Sequence, residues 1–238
     1  MADADELHVR ESVTSLAVIS PPGERAGDEP VHDSARAMTF IQSMTTVDEI
    51  LERQPDRPTA FAQPSSRSDL DYVYVGCWGR VVHVVDPGLA SDFLHTRLTE
   101  EVANQEQRCP GARVIGEVYL DMGGEYVETV VSLPGVPRFV VQEWVDGTEV
   151  DGDLDRVLAA LGMTPADIGE YFDPDTFEDW EREPVVQRAL GGFDLDLLTA
   201  PDRDWSVFRV SRPDGVRIDM EEVWFGAPWL RPERVHPL

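Results

Sequence analysis

The residue types that most often bind metals or attack carbonyl carbon occur here as Cys77, His83, His95 and Cys109. Successive gaps of 6, 12 and 14 residues match no zinc finger, ribbon or knuckle, and no His-Glu-x-x-His helix is present, so neither a metal nor any other cofactor is expected. Cys77 and His83 flank a short bend and could form a nucleophile and base pair, provided register and face bring them together. The alternative for Cys77 is a small buried hydrophobe, and for His83, which shares a strand face with Val81 and Val85, a sheet histidine. Asp151-x-Asp153-x-Asp155 begins like a calcium loop, but Arg156 stands where Gly is needed and Gly162 where Glu is needed. The pair Asp194-x-Asp196 is too common a spacing among 46 acids to carry a metal-site reading. With no Gly-x-Ser-x-Gly elbow, carboxylates are the remaining catalytic option: Glu125 and Glu128 on one segment, and Asp219, Glu221 and Glu222 on another. Glu222 interrupts the apolar line Ile218, Met220, Trp224, as Arg209 interrupts Trp205, Val207. A cross-strand Glu222–Arg209 pair is the plain reading. The sharper one is a ligand pocket lined by Arg209, Glu222 and Trp224, with His83, Cys77 and Glu222 as the catalytic candidates.

These side chains must be carried by hairpins. Residues 12–19 alternate in a β-prone run that Pro21-Pro22-Gly23 stops. Asp33 can cap a helix to about Met44, and Thr46 with Glu49 forms a capping-box pattern for a second helix to about Arg53. Residues 71–86 read as a hairpin around Gly76-Cys-Trp-Gly79. Asp86-Pro87 opens a helix to about Gln107, and 112–121, 125–133 and 138–145 form a three-stranded meander. Asp153–Leu161 is a helix ended by Gly162, followed by a helical turn from Thr164, and 170–200 mixes short helices with loops. A last hairpin pairs 205–212 with 216–225 around Arg212-Pro-Asp-Gly215. Paired rather than singly alternating strands imply an α+β fold, a mostly antiparallel sheet flanked by several helices, in one domain spanning 1–238 with irregular tails at 1–11 and 226–238.

Charge narrows the partners. The chain has 46 acidic residues against 20 basic ones and a net charge of −26, and every basic residue is arginine. Without lysine there is no P-loop, kinase or Schiff-base lysine, and GC-rich codon usage accounts for part of the skew without any function. Phosphate backbones and anionic membranes are repelled, while a basic protein surface would be drawn in. Residues 143–204 hold 18 acids and 4 arginines. This stretch is either a solvated face or a docking face, the latter carried by Asp151, Asp153, Asp155, Asp173, Asp175, Glu178 and Asp179. The acidic N-terminus and the absence of a long apolar run point to the cytoplasm, where Cys77 and Cys109 would stay reduced. The oligomeric state is not legible.

The stretch Ser68-Asp-Leu-Asp-Tyr-Val-Tyr-Val-Gly-Cys-Trp-Gly-Arg-Val-Val-His-Val-Val-Asp-Pro87, with Ser206-Val-Phe-Arg-Val and Met220-Glu-Glu-Val-Trp224, resembles an uncharacterised family of hypothetical proteins from high-GC bacteria. That resemblance implies no activity. In charge and fold class the chain is also similar to small acidic immunity proteins that neutralise nuclease toxins. The expectation is therefore a non-catalytic acidic module that binds a basic protein; the alternative is a small-molecule-binding protein or a lysine-independent enzyme using carboxylates and His83.

Overall fold

Among the described residues nine strands form one antiparallel sheet, which accounts for the hairpin-rich sequence. The computed structural model describes residues 12–21, 31–58, 64, 66–90, 97–121, 125–144, 147–168, 179–191 and 203–225. The strands are β1 (Ser12–Ile19), β2 (Glu49–Pro58), β3 (Tyr72–Trp78), β4 (Val81–Val85), β5 (Arg113–Asp121), β6 (Glu125–Ser132), β7 (Phe139–Trp144), β8 (Gly147–Asp151) and β9 (Asp204–Ser211). Their spatial order is β2-β9-β3-β4-β1-β5-β6-β7-β8. Five α-helices occur among the described residues: α1 (Ser34–Ile41), α2 (Arg97–Arg108), α3 (Leu154–Leu161), α4 (Asp179–Leu190) and α5 (Asp214–Phe225).

Helices cover both faces of the sheet. On one face Leu16, Val18, Val75, Cys77, Val82, Val84, Val114 and Val118 pack against Phe40 and Ile41 of α1, Leu98 and Val102 of α2, and Met220 and Trp224 of α5. On the other, Ala17, Ile19, Ile115, Val131 and Val141 pack against Val157, Leu158 and Leu161 of α3 and Val185, Val186 and Ala189 of α4. Two-sided burial explains why residues 16–19 and 81–85 are apolar almost without a break: both side-chain directions of these central strands leave water. A close approach occurs at Gly116, where a Cβ would stand 2.4 Å from Leu98 Cδ1, so glycine lets α2 seat tightly on β5.

Several local expectations hold. The meander is β5–β7, the hairpin is β3–β4, Asp33 and Asp153 accept backbone N–H groups at the starts of α1 and α3, and Gly162 ends α3 at φ 67°. β8 adds a fourth strand to the meander and forms the sheet edge.

Three elements differ. The second arm of the last hairpin is α5: Val216, Met220, Val223 and Trp224 are buried at helical spacing, whereas Ile218 is 59% exposed. The Glu222 that interrupts the strand pattern was a sign of the wrong period. Residues 49–58 are the edge strand β2 rather than a helix. β2 pairs with β9 through two register shifts and holds Pro55 and Pro58, as an edge strand can. Being solvated over nearly its whole length, it has no apolar alternation to reveal it. Asp86 caps only the 3-10 turn Pro87–Leu89, and α2 starts afresh at Arg97. The two expected tails lie outside the described residues.

Candidate functional site

The register separates Cys77 from His83. Cys77 lies opposite Val82 and His83 opposite Gly76, so the two side chains emerge on opposite faces. Cys77 is buried among the α1-side core residues, and burial pushes its thiol up to about 12, which leaves no thiolate at neutral pH. His83 packs against Trp205 with ring centroids 5.2 Å apart. Burial, reinforced by Arg203, pushes it down to about 3, so it is a neutral core ring. His95 lies outside the described residues. Cys109, like Cys77, is free, and no cluster of three metal-ligating side chains occurs among the described residues.

The proposed Arg209–Glu222 pair also comes apart. Arg209 projects from β9, exposed, in register with Glu52 and Tyr72. Glu222 sits half-buried on α5, a helix packed against the other face. Trp224 is buried there, its indole N–H donating to the Pro87 carbonyl at 3.3 Å. Nor do Glu125 and Glu128 form a pair, since residues three apart in a strand point to opposite faces. Asp219 is held at 2.5 Å by Arg97, and Glu221 is bonded by Arg67.

What the fold does bring together is different. His32 bridges to Trp78 at the β3 edge, and its Nδ1 accepts the Cys77 backbone N–H at 3.2 Å. That bond assigns the ring proton to Nε2, which donates to Ser206 Oγ at 2.9 Å, and Ser206 donates in turn to Asp56 at 2.8 Å. The residue types are those of a hydrolase triad, but the direction is reversed: histidine gives a proton to serine instead of taking one. Ser206 is fully buried, out of reach of a substrate. The chain ties β2, β9 and residue 32 to β3.

A second buried knot joins Asp86 to Arg212 at 2.7 Å, with side chains 0% and 3% exposed. Asp86 also accepts from Thr46 at 2.6 Å and the Gly88 N–H at 2.8 Å, and Arg212 donates to the Thr46 and Leu70 carbonyls. Thr46 is thus a partner of this carboxylate, not a helix cap. Under α2, Glu128 accepts from Thr99 and Tyr126, both at 3.1 Å; burial outweighs these bonds and raises its carboxyl to about 7. The sequence singles out Glu128 only as one of a pair with Glu125, and its burial is not legible there, because both faces of this strand carry a similar mix of β-branched and small residues.

The acidic stretch is placed only in part. Asp173, Asp175 and Glu178 lie outside the described residues, and for Asp179 the backbone alone is described, as the first residue of α4. Asp151 ends edge strand β8, and Asp153 and Asp155 cap and open α3. All three are exposed, as is Glu149, two residues before Asp151 on the same strand face. Trp144 and Val150 on the same rim are each 36% exposed.

At one end of the sheet, between the strand ends and helices α3 and α4, lies a cleft of about 390 Å³ walled by Arg80, Arg113, Ser20, Leu133, Leu161 and Leu190 among others. The sequence offered no signal for it.

No helix among the described residues is long and apolar enough to cross a membrane. No curated protein and no solved structure matches the chain. A family model described as a family of unknown function, DUF6333, matches residues 2–227, nearly the whole length, and the chain belongs to that family.

Proposed function

We propose that this chain is a non-catalytic binding protein that acts as a single domain in the cytoplasm and docks a basic protein on the rim formed by β8 and the start of α3. The observation that carries this reading is the composition of that rim: Glu149, Asp151, Asp153 and Asp155 are exposed, and Trp144, in register with Gly147 and so on the strand face of Glu149 and Asp151, is 36% exposed. Exposed carboxylates on the face of an exposed aromatic ring suit a recognition patch, where the charge steers the partner and the apolar group holds it. Carboxylates on edge strand β8 also discourage pairing with another copy and favour a partner of opposite charge. An inhibitor of a basic enzyme is the form this function takes.

Other features support the reading. The thiol and imidazole that could have driven nucleophilic chemistry are held protonated and neutral, respectively, by burial. Two free cysteines suit a reducing compartment, and a charge of −26 disfavours nucleic acid and anionic membranes. The lysine-free composition supports an origin in a GC-rich genome.

The test is neutralisation of the rim by E149Q/D151N/D153N/D155N. Asn preserves the α3 cap at residue 153, so the fold should survive. A partner captured by the parent chain at low salt should be lost by this variant. It should be retained by D48N/E49Q/E52Q/D71N, which removes the same charge at the opposite end of the sheet. Equal capture by both variants overturns the proposal.

A further inference from the structure

The cleft at the end of the sheet is lined by arginine and by no acidic residue among those described, on a strongly acidic chain. We infer that it binds a small organic carboxylate with an apolar body. Among the described residues its wall carries two guanidinium groups, Arg80 in the β3–β4 turn and Arg113 at the start of β5, and no carboxylate. The remaining wall is Ser20 and the two glycines 111 and 191 on one hand, and Ile19, Pro21, Leu133, Pro134, Ala160, Leu161 and Leu190 on the other. A volume of about 390 Å³ falls in the range of small-ligand sites, which combine an apolar lining with a few fixed polar groups.

Two helix ends bear on the charge. The C-termini of α3 and α4 both reach this region, and their carbonyls oppose an anion. Arg188 Nε donates to the Leu161 carbonyl at 3.2 Å, and Arg113 Nη1 donates to the Ala189 and Arg188 carbonyls at 3.0 and 3.4 Å. Each helix end amounts to roughly half an elementary negative charge, whereas each arginine brings a full positive one. The wall's two guanidinium groups outweigh the two half-charges and leave the site positive. The bonds to α4 also fix Arg113 in place, so its charge need not be ordered when a ligand arrives. Acids beyond about 8 Å repel an anion only weakly, because charges at that distance are screened at physiological salt. A carboxylate accepting from Arg80 and Arg113, with its carbon chain on Leu133, Leu161 and Leu190, uses both halves of the wall.

Hexanoate, 1-hexanol and acetate separate these contributions when titrated into the whole chain by NMR chemical-shift mapping. Hexanoate should bind at the cleft at least tenfold more tightly than hexanol, which lacks the charge, and than acetate, which lacks the chain. Two exposed positions give variants that leave the fold intact. R80Q should weaken hexanoate at least tenfold and leave hexanol unchanged. A160F, which fills the cleft from α3, should weaken both. No saturable shift at the cleft, equal affinity for hexanoate and hexanol or for hexanoate and acetate, or unchanged hexanoate affinity in R80Q overturns the proposal.

Discussion

Replacing Glu128 by Gln should change how stability depends on pH in a way that no surface carboxylate could. Glu128 is buried under α2, and its carboxyl titrates near 7 rather than at the ordinary 4.5. A carboxyl raised in the folded state favours folding when protonated. Its contribution is complete below the unfolded value and is lost as pH rises through the folded one. At about 1.4 kcal/mol for each pH unit between the two values, ionising Glu128 costs the folded state about 3 kcal/mol by pH 8.5. His83 works in the opposite direction. Its imidazole is held near 3 against an ordinary 6.5, so its contribution is complete above 6.5 and falls as the solution is acidified. Between about pH 4.5 and 6.5 the two slopes cancel, and these groups together leave a plateau. E128Q removes one side of the balance. Its stability should rise by about 1.4 kcal/mol per pH unit across that window, and at pH 8.5 it should exceed the parent by up to about 3 kcal/mol, less the cost of imperfect bonds to Thr99 and Tyr126. Urea denaturation of the parent and of E128Q at half-unit steps from pH 4 to 8.5 gives the difference curve directly. A flat difference curve would refute the claim that Glu128 is buried and protonated in the folded state. H83F should produce the mirror image, with the parent's plateau replaced by stability that falls as pH rises above about 4.5.

Two further outcomes test the architecture. R212M leaves the buried Asp86 carboxylate uncompensated and should cost about 3–5 kcal/mol in chemical denaturation. A loss below about 1 kcal/mol would mean that Asp86 finds water or another partner. G116V drives a side chain into Leu98 and should cost more than about 2 kcal/mol or yield insoluble protein, as overpacking at a helix–sheet contact does; a variant as stable as the parent would show that α2 does not seat there.

The sequence was most legible where burial and period agree. β1, the β3–β4 hairpin and the β5–β7 meander are dense in β-branched residues and bounded by turns, and each lies where it was expected. It misled where one pattern fits two periods. Ile218, Met220 and Trp224 alternate like a strand, but Val216, Met220, Val223 and Trp224 are the face that meets the core. β2 was hidden for the opposite reason, because an exposed edge strand with two prolines carries no apolar signal. Chemistry was less legible than fold. Cys77 and His83 are six residues apart across a bend, and only the pairing of Gly76 with His83 reveals that they face opposite ways. The Asp86–Arg212 and His32–Ser206–Asp56 contacts join residues far apart in the chain, and composition holds no trace of them.

The central claim, that the β8–α3 rim docks a basic protein, is tested most directly by capture from a lysate of the cells that encode the chain. The parent, the rim variant E149Q/D151N/D153N/D155N and the far-edge variant D48N/E49Q/E52Q/D71N are compared at about 0.05 M and about 1 M salt, the latter reducing the Debye length to about 3 Å. One basic protein should be held by the parent and the far-edge variant at low salt, be absent from the rim variant, and be released from both at high salt. A partner that binds all three chains alike, or that ignores salt, would contradict it.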